Sequence, residues 1–172
     1  MIKEFVSLWF EHKDELQKII SKTELNKLNY KSIVVLVIEN IINKGKLKLK
    51  VDNLTEIDHG GHSGTLIYIV PRDTYQPDLR DYYFTENHYG SCSGCDILID
   101  IQTNYEKKPK EKLVSIVMIL CLHVIQRLKK LEALPELHYL SKDKRKEYIE
   151  LCNKLAREEQ EMQSMIEYYQ YE

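Results

Sequence analysis

The chain has 172 residues, 43% of them apolar and 30% charged, a mixture expected of one globular domain rather than a disordered segment. Lys plus Arg number 25 against 27 Asp plus Glu, a formal net charge of −2, which argues against a dedicated nucleic-acid binder and against acidic DNA mimicry. No apolar run approaches the ~20 residues of a membrane span, and acids interrupt the opening residues where a signal peptide has its apolar core, so a cytoplasmic protein is expected.

In residues 2–20 the spacing of Phe5, Leu8, Trp9, His12, Leu16, Ile19 and Ile20 predicts a one-faced amphipathic helix. Asn29 or Ser32 starts a second helix through Ile33, Val37 and Ile41, with Gly45 expected as its left-handed stop. Lys46 to Val51 alternates lysine with apolar residues, the pattern of a strand with one buried face and an edge protected by charge. Thr65–Val70 and Tyr82–Asn87 read as two further strands joined by a polar loop. The run from Asp96 to Gln102 fits a short helix or a fourth strand. Leu113–Leu131 is a long helix, apolar around most of its circumference and therefore central. Residues 141–171 read as a last, highly charged helix with a thin apolar stripe. The expected fold is α+β: a single domain over 1–172, helical in 1–45, a small antiparallel sheet of about three strands with a metal cluster in 46–103, and two long helices in 110–172.

Chemistry concentrates at one end of the expected hairpin. If Val70 lies opposite about Tyr82, the Asp58–Gly64 flank and the His88–Asp96 flank leave the sheet at the same end. His59, His62, His88, Cys92 and Cys95 then converge. A Cys-x-x-Cys turn presents two thiolates about 3.7 Å apart to one metal, and Gly94 lets that turn bend without a Cβ clash. One or two histidines would complete a tetrahedral zinc site. The same spacing also occurs in redox pairs and in tight turns without function, but redox pairs favour a helix start in a parallel α/β fold. His62 is the better ligand of the flank, being nearer the strand. His123 sits in the most apolar helix, where an unpaired imidazole would cost ~1–3 kcal/mol, so it needs a partner, either a metal at the sheet end or a hydrogen bond to a backbone carbonyl or to Asp96. His12 reads as a boundary histidine and His138 as a solvated one. His59 and His88 are placed near the cluster, with binding and non-binding roles equally open. Cys121 and Cys152 read as buried or filler thiols. The expected site is thus His62, Cys92, Cys95 and His123 around zinc.

No phosphate-binding loop, nucleophile elbow, His-Glu-x-x-His or deaminase pattern is present in the sequence. That favours a non-enzymatic reading. The alternative is a metal-dependent, hydrolase-like enzyme with Asp58, Asp96 or Glu86 as general base.

The run Tyr89-Gly90-Ser91-Cys92-Ser93-Gly94-Cys95-Asp96, followed by Leu120-Cys121-Leu122-His123-Val124-Ile125-Gln126, resembles a group of small phage and prophage proteins. The resemblance spans residues 60–131. It implies Cys92, Cys95, Asp96 and His123 as a metal-site set, and a zinc-stabilised binder that inhibits a host defence protein in the manner of anti-CRISPR proteins. The partner so implied is a CRISPR effector nuclease of type II, in the host cytoplasm, with no direct nucleic-acid or membrane contact. The charged residues and Tyr168, Tyr169 and Tyr171 of the last helix would suit such an interface.

Overall fold

The computed structural model describes residues 2–58 and 60–131. Helix α1 spans Ile2–Lys22 and buries Phe5, Leu8, Trp9, Leu16 and Ile20 along one face, as the spacing predicts. Helix α2 spans Tyr30–Asn40, and both expected starting residues serve a single cap. Asn29 Oδ1 accepts from the Ser32 backbone N–H at 2.8 Å, while Ser32 Oγ accepts from the Asn29 N–H at 3.0 Å. Gly45 does not stop this helix in a left-handed turn. It closes a separate 3-10 turn, Ile42–Lys44, at φ −82°.

The lysine-alternating stretch corrects the first expectation. Residues 46–51 form no strand, only one bridge between Leu49 and Arg72. The Asn43 side chain takes both backbone groups of Leu49, accepting from its N–H at 2.7 Å and donating to its carbonyl at 2.9 Å. Those are the groups a neighbouring strand would need. Leu49 is still buried, so the alternation correctly marks an apolar anchor.

The sheet has four antiparallel strands in the order β1-β2-β3-β4. Strand β1 is Thr55–Asp58, β2 Gly64–Pro71, β3 Tyr82–Tyr89 and β4 Lys129–Lys130. Two of them, β1 and β4, were not expected. Val70 pairs with Tyr83 and Gly64 with Tyr89, one residue away from the expected register. Because side chains alternate across a sheet, that one step puts Tyr83, Thr85, Asn87 and Tyr89, rather than their neighbours, on the face shared with Leu66, Tyr68 and Val70. Glu56 and Asp58 of β1 stand opposite Tyr68 and Leu66 and therefore share that face.

Residues Ile97–Thr103 form helix α3, which settles the ambiguous run as helix, and α4 spans Lys110–Arg127. The helices pack on the sheet around one core that includes Ile33, Val37, Tyr68, Val70, Leu113, Val117, Val124 and Ile125. Helix α4 meets α1, α2 and β3, as its broad apolar surface requires. The fold is α+β. The second C-terminal helix expected at 141–171, together with its tyrosines, lies outside the described residues.

Candidate functional site

The hairpin flanks do meet at one end of the sheet. The turn of residues 60–64 enters β2 beside the last residue of β3, with Gly64 paired to Tyr89. Two of its glycines are there for space. A Cβ on Gly60 would collide with the Tyr89 hydroxyl, and one on Gly64 would lie 2.8 Å from Gly60 Cα and 3.0 Å from Tyr89 Oη. The Tyr89 hydroxyl donates to Asp58 Oδ1 at 2.9 Å, fastening the end of β3 to the end of β1.

Beyond Tyr89 the chain enters the cysteine turn. The Cys92 carbonyl accepts from the N–H groups of Cys95 at 3.0 Å and Asp96 at 2.9 Å. Both thiols are exposed, with Sγ atoms 2.7 Å apart. The Cys92 thiol, together with backbone N–H groups of the turn, holds the Cys95 thiol below its ordinary pKa. Gly90 admits this turn, since a Cβ there would meet the Cys95 carbonyl oxygen at 2.5 Å and Sγ at 2.6 Å.

Asp96 ends the turn and is almost fully buried. Its carboxylate accepts from the Leu98 N–H at 2.8 Å, the Ile99 N–H at 3.1 Å and the Gly90 N–H at 3.0 Å. A fourth donor, the Tyr30 hydroxyl, reaches it from α2 at 3.1 Å. Burial, and then the Asp96 charge, push the Tyr30 phenol far above its usual pKa.

Cys92 and Cys95 meet within one turn, as the Cys-x-x-Cys spacing predicts, with their sulfurs 2.7 Å apart. Zinc–sulfur bonds near 2.3 Å place two thiolates about 3.7 Å apart, so the pair would open slightly around a metal. No described histidine joins them in a metal-binding group. His62 is exposed in the turn between β1 and β2. His123 is half-buried on α4, where burial and then Arg127 lower its pKa. It is partly open to solvent rather than enclosed by its apolar neighbours. His88, which shares a row with Thr65, has Nδ1 2.8 Å from the Thr65 hydroxyl on the other side of the sheet from Tyr89. Among the described residues no group of three or more His, Cys, Asp or Glu side chains is arranged to hold a metal ion. The cysteine pair therefore fits zinc as half of a site. His12 is a boundary residue on α1, with Glu11 and Glu15 within 4.0 Å. His59, His138 and Cys152 lie outside the described residues.

A pocket of about 460 Å³ opens beside the cysteine turn, and no sequence motif announced it. Its walls are the helix-facing side of β1 and β2, Tyr89, and the starts of α2 and α3. Tyr68 forms the floor. Its side chain is fully buried, and its hydroxyl makes no hydrogen bond of ordinary geometry among the described residues. Burial, and then the nearby Glu56 carboxylate, raise its pKa strongly. Of the three acids considered as a general base, Asp58 and Asp96 line this pocket, whereas Glu86 belongs to the opposite face with Ile67. The signal that could have found the pocket is the pair Glu56 and Asp58, two acids on alternate positions of an edge strand.

Comparison with known protein families, curated proteins and solved structures finds no match to this chain. Among the described residues no helix is long and apolar enough to cross a membrane.

Proposed function

We propose that the chain is a zinc-stabilised, non-catalytic binding protein that inhibits a host defence protein by occupying its surface. The observation that carries the binding reading is the sheet-end pocket. Its floor hydroxyl, on Tyr68, is buried beside the Glu56 carboxylate and makes no hydrogen bond of ordinary geometry among the described residues, and Glu56 has no cationic partner among them. Polar groups left in that state gain most when a partner supplies their missing bonds. Zinc would act as a staple held by the Cys92 and Cys95 thiolates, fixing the turn that leads into Asp96 and the pocket wall. The partner implied by the likeness to phage proteins is a CRISPR effector nuclease of type II.

Titration of the protein against the target-cleavage activity of such a nuclease tests this reading. The expected result is stoichiometric inhibition with an endpoint near one equivalent. Time-dependent inactivation by substoichiometric protein would replace it with the enzyme reading, in which Asp58 is the candidate base. Full cleavage at excess protein would remove this partner.

A further inference from the structure

The starts of two helices border the pocket, and side-chain caps already take part of their N–H groups. The Asn29–Ser32 box closes the start of α2, and Asp96 takes the first N–H groups of α3. Asp96 is itself saturated by four donors. What remains open is a set of acceptors. Among the described residues Glu56 has no cationic partner and faces the Tyr68 hydroxyl, Asp58 accepts only through Oδ1, and the Tyr68 hydroxyl makes no hydrogen bond of ordinary geometry. Among the described residues Lys31, exposed on the first turn of α2, is the one cation on the lining, against the carboxylates of Glu56, Asp58 and Asp96. These carboxylates are not gathered as a metal-binding group. They are spread along a wall with tyrosine rings beside them.

We infer that this pocket takes the guanidinium of an arginine side chain presented by the partner protein, an inference that rests on the binding function proposed above. A guanidinium is planar and carries five N–H donors, enough to serve Glu56, Asp58 Oδ2 and the Tyr68 oxygen together. It also stacks on aromatic rings, and Tyr30 and Tyr89 are among the lining residues. A lysine ammonium offers three donors from a single point and stacks less well. A nuclease, which must hold a polyanion, presents arginines in quantity.

The test uses the full chain, labelled for NMR, and three probes: arginine, lysine and glutamine, each capped at both ends. Capped arginine is expected to shift the amide signals of Glu56, Asp58, Tyr68 and Tyr89 saturably below about 10 mM. Capped lysine should bind several-fold more weakly, and capped glutamine should produce no saturable shift. Glu56→Gln, on an exposed edge strand, should retain the fold and weaken arginine binding by about tenfold. Tyr68→Phe should also weaken it. Absence of saturable shifts with capped arginine, equal binding of capped lysine, or full retention of affinity in Glu56→Gln would each overturn the inference. The nuclease titration separates the two proposals. Arginine binding without inhibition would sink the proposed function alone, whereas inhibition unchanged by Glu56→Gln would sink the arginine assignment alone.

Discussion

The Tyr30 hydroxyl donates to Asp96 Oδ1 at 3.1 Å, joining the first turn of α2 to the cap of α3 across 66 residues of chain. Removing the hydroxyl and removing the carboxylate are unequal changes. Tyr30→Phe deletes one donor and is expected to cost about 1–2 kcal/mol. Asp96→Ala strands the N–H groups of Gly90, Leu98 and Ile99 along with that hydroxyl, and should cost about 3 kcal/mol or more. Urea unfolding of both variants measures the difference. Equal losses would show that Asp96 does not act as the common acceptor.

Gly90 and Gly61 should respond in opposite ways to alanine. A Cβ at Gly90 would sit 2.5 Å from the Cys95 carbonyl oxygen, so Gly90→Ala must displace the cysteine turn and is expected to cost about 2 kcal/mol. A Cβ at Gly61 meets nothing within 4 Å, and Gly61→Ala should be neutral or slightly stabilising. Thermal melts of the two variants check this, and a neutral Gly90→Ala would contradict the packing of the turn.

The protein is expected to carry about one zinc per chain, with Cys92→Ser and Cys95→Ser each losing both metal and stability. Elemental analysis after dialysis, on protein expressed with zinc available, is the measurement. A metal-free protein whose two serine variants melt with the parent would remove zinc from the account.

The three described thiols should separate by reactivity. Cys121 is fully buried on α4, and burial pushes its pKa up to about 12. Cys92 and Cys95 are exposed. In metal-free native protein, iodoacetamide near neutral pH should modify the exposed pair and spare Cys121 until the chain unfolds. Mass spectrometry of digested protein reads the order, and early modification of Cys121 would mean that α4 opens locally.

Acid should loosen the end of α3. Lys108 donates to Asp100 at 2.6 Å, and this bond is the main cause of an Asp100 pKa below the ordinary 3.8. A depressed carboxylate stabilises the fold above its unfolded pKa, and the contribution disappears as pH falls through the folded value. Lys108→Ala should therefore raise the Asp100 pKa, as measured by carboxyl NMR, and make stability less sensitive to pH below about 4. An unchanged Asp100 titration would show that the pair is not held in solution. The group is near the surface, so the effect should also shrink with salt.

What the residues declare on their own is what depends on near neighbours. The spacing of Phe5, Leu8, Trp9, Leu16 and Ile20 can bury one face only as a helix. Asn29 and Ser32 cap α2 through atoms three residues apart, and Cys92 and Cys95 meet because a single turn brings their thiols together. The tertiary structure decided everything that hangs on a partner distant in sequence. Strand β1, with one apolar residue among Thr55, Glu56, Ile57 and Asp58, has too little pattern to show itself and exists because β2 pairs with it. A one-residue difference in the β2–β3 register puts Tyr89 rather than His88 on the helix-facing side, since alternate residues of a strand point to opposite faces. That step separates His88 from the pocket and builds the pocket from tyrosines and acids. The Tyr30–Asp96 bond and the acids beside Tyr68 follow from the same packing, in which α2, α3 and the edge of the sheet come to share one wall.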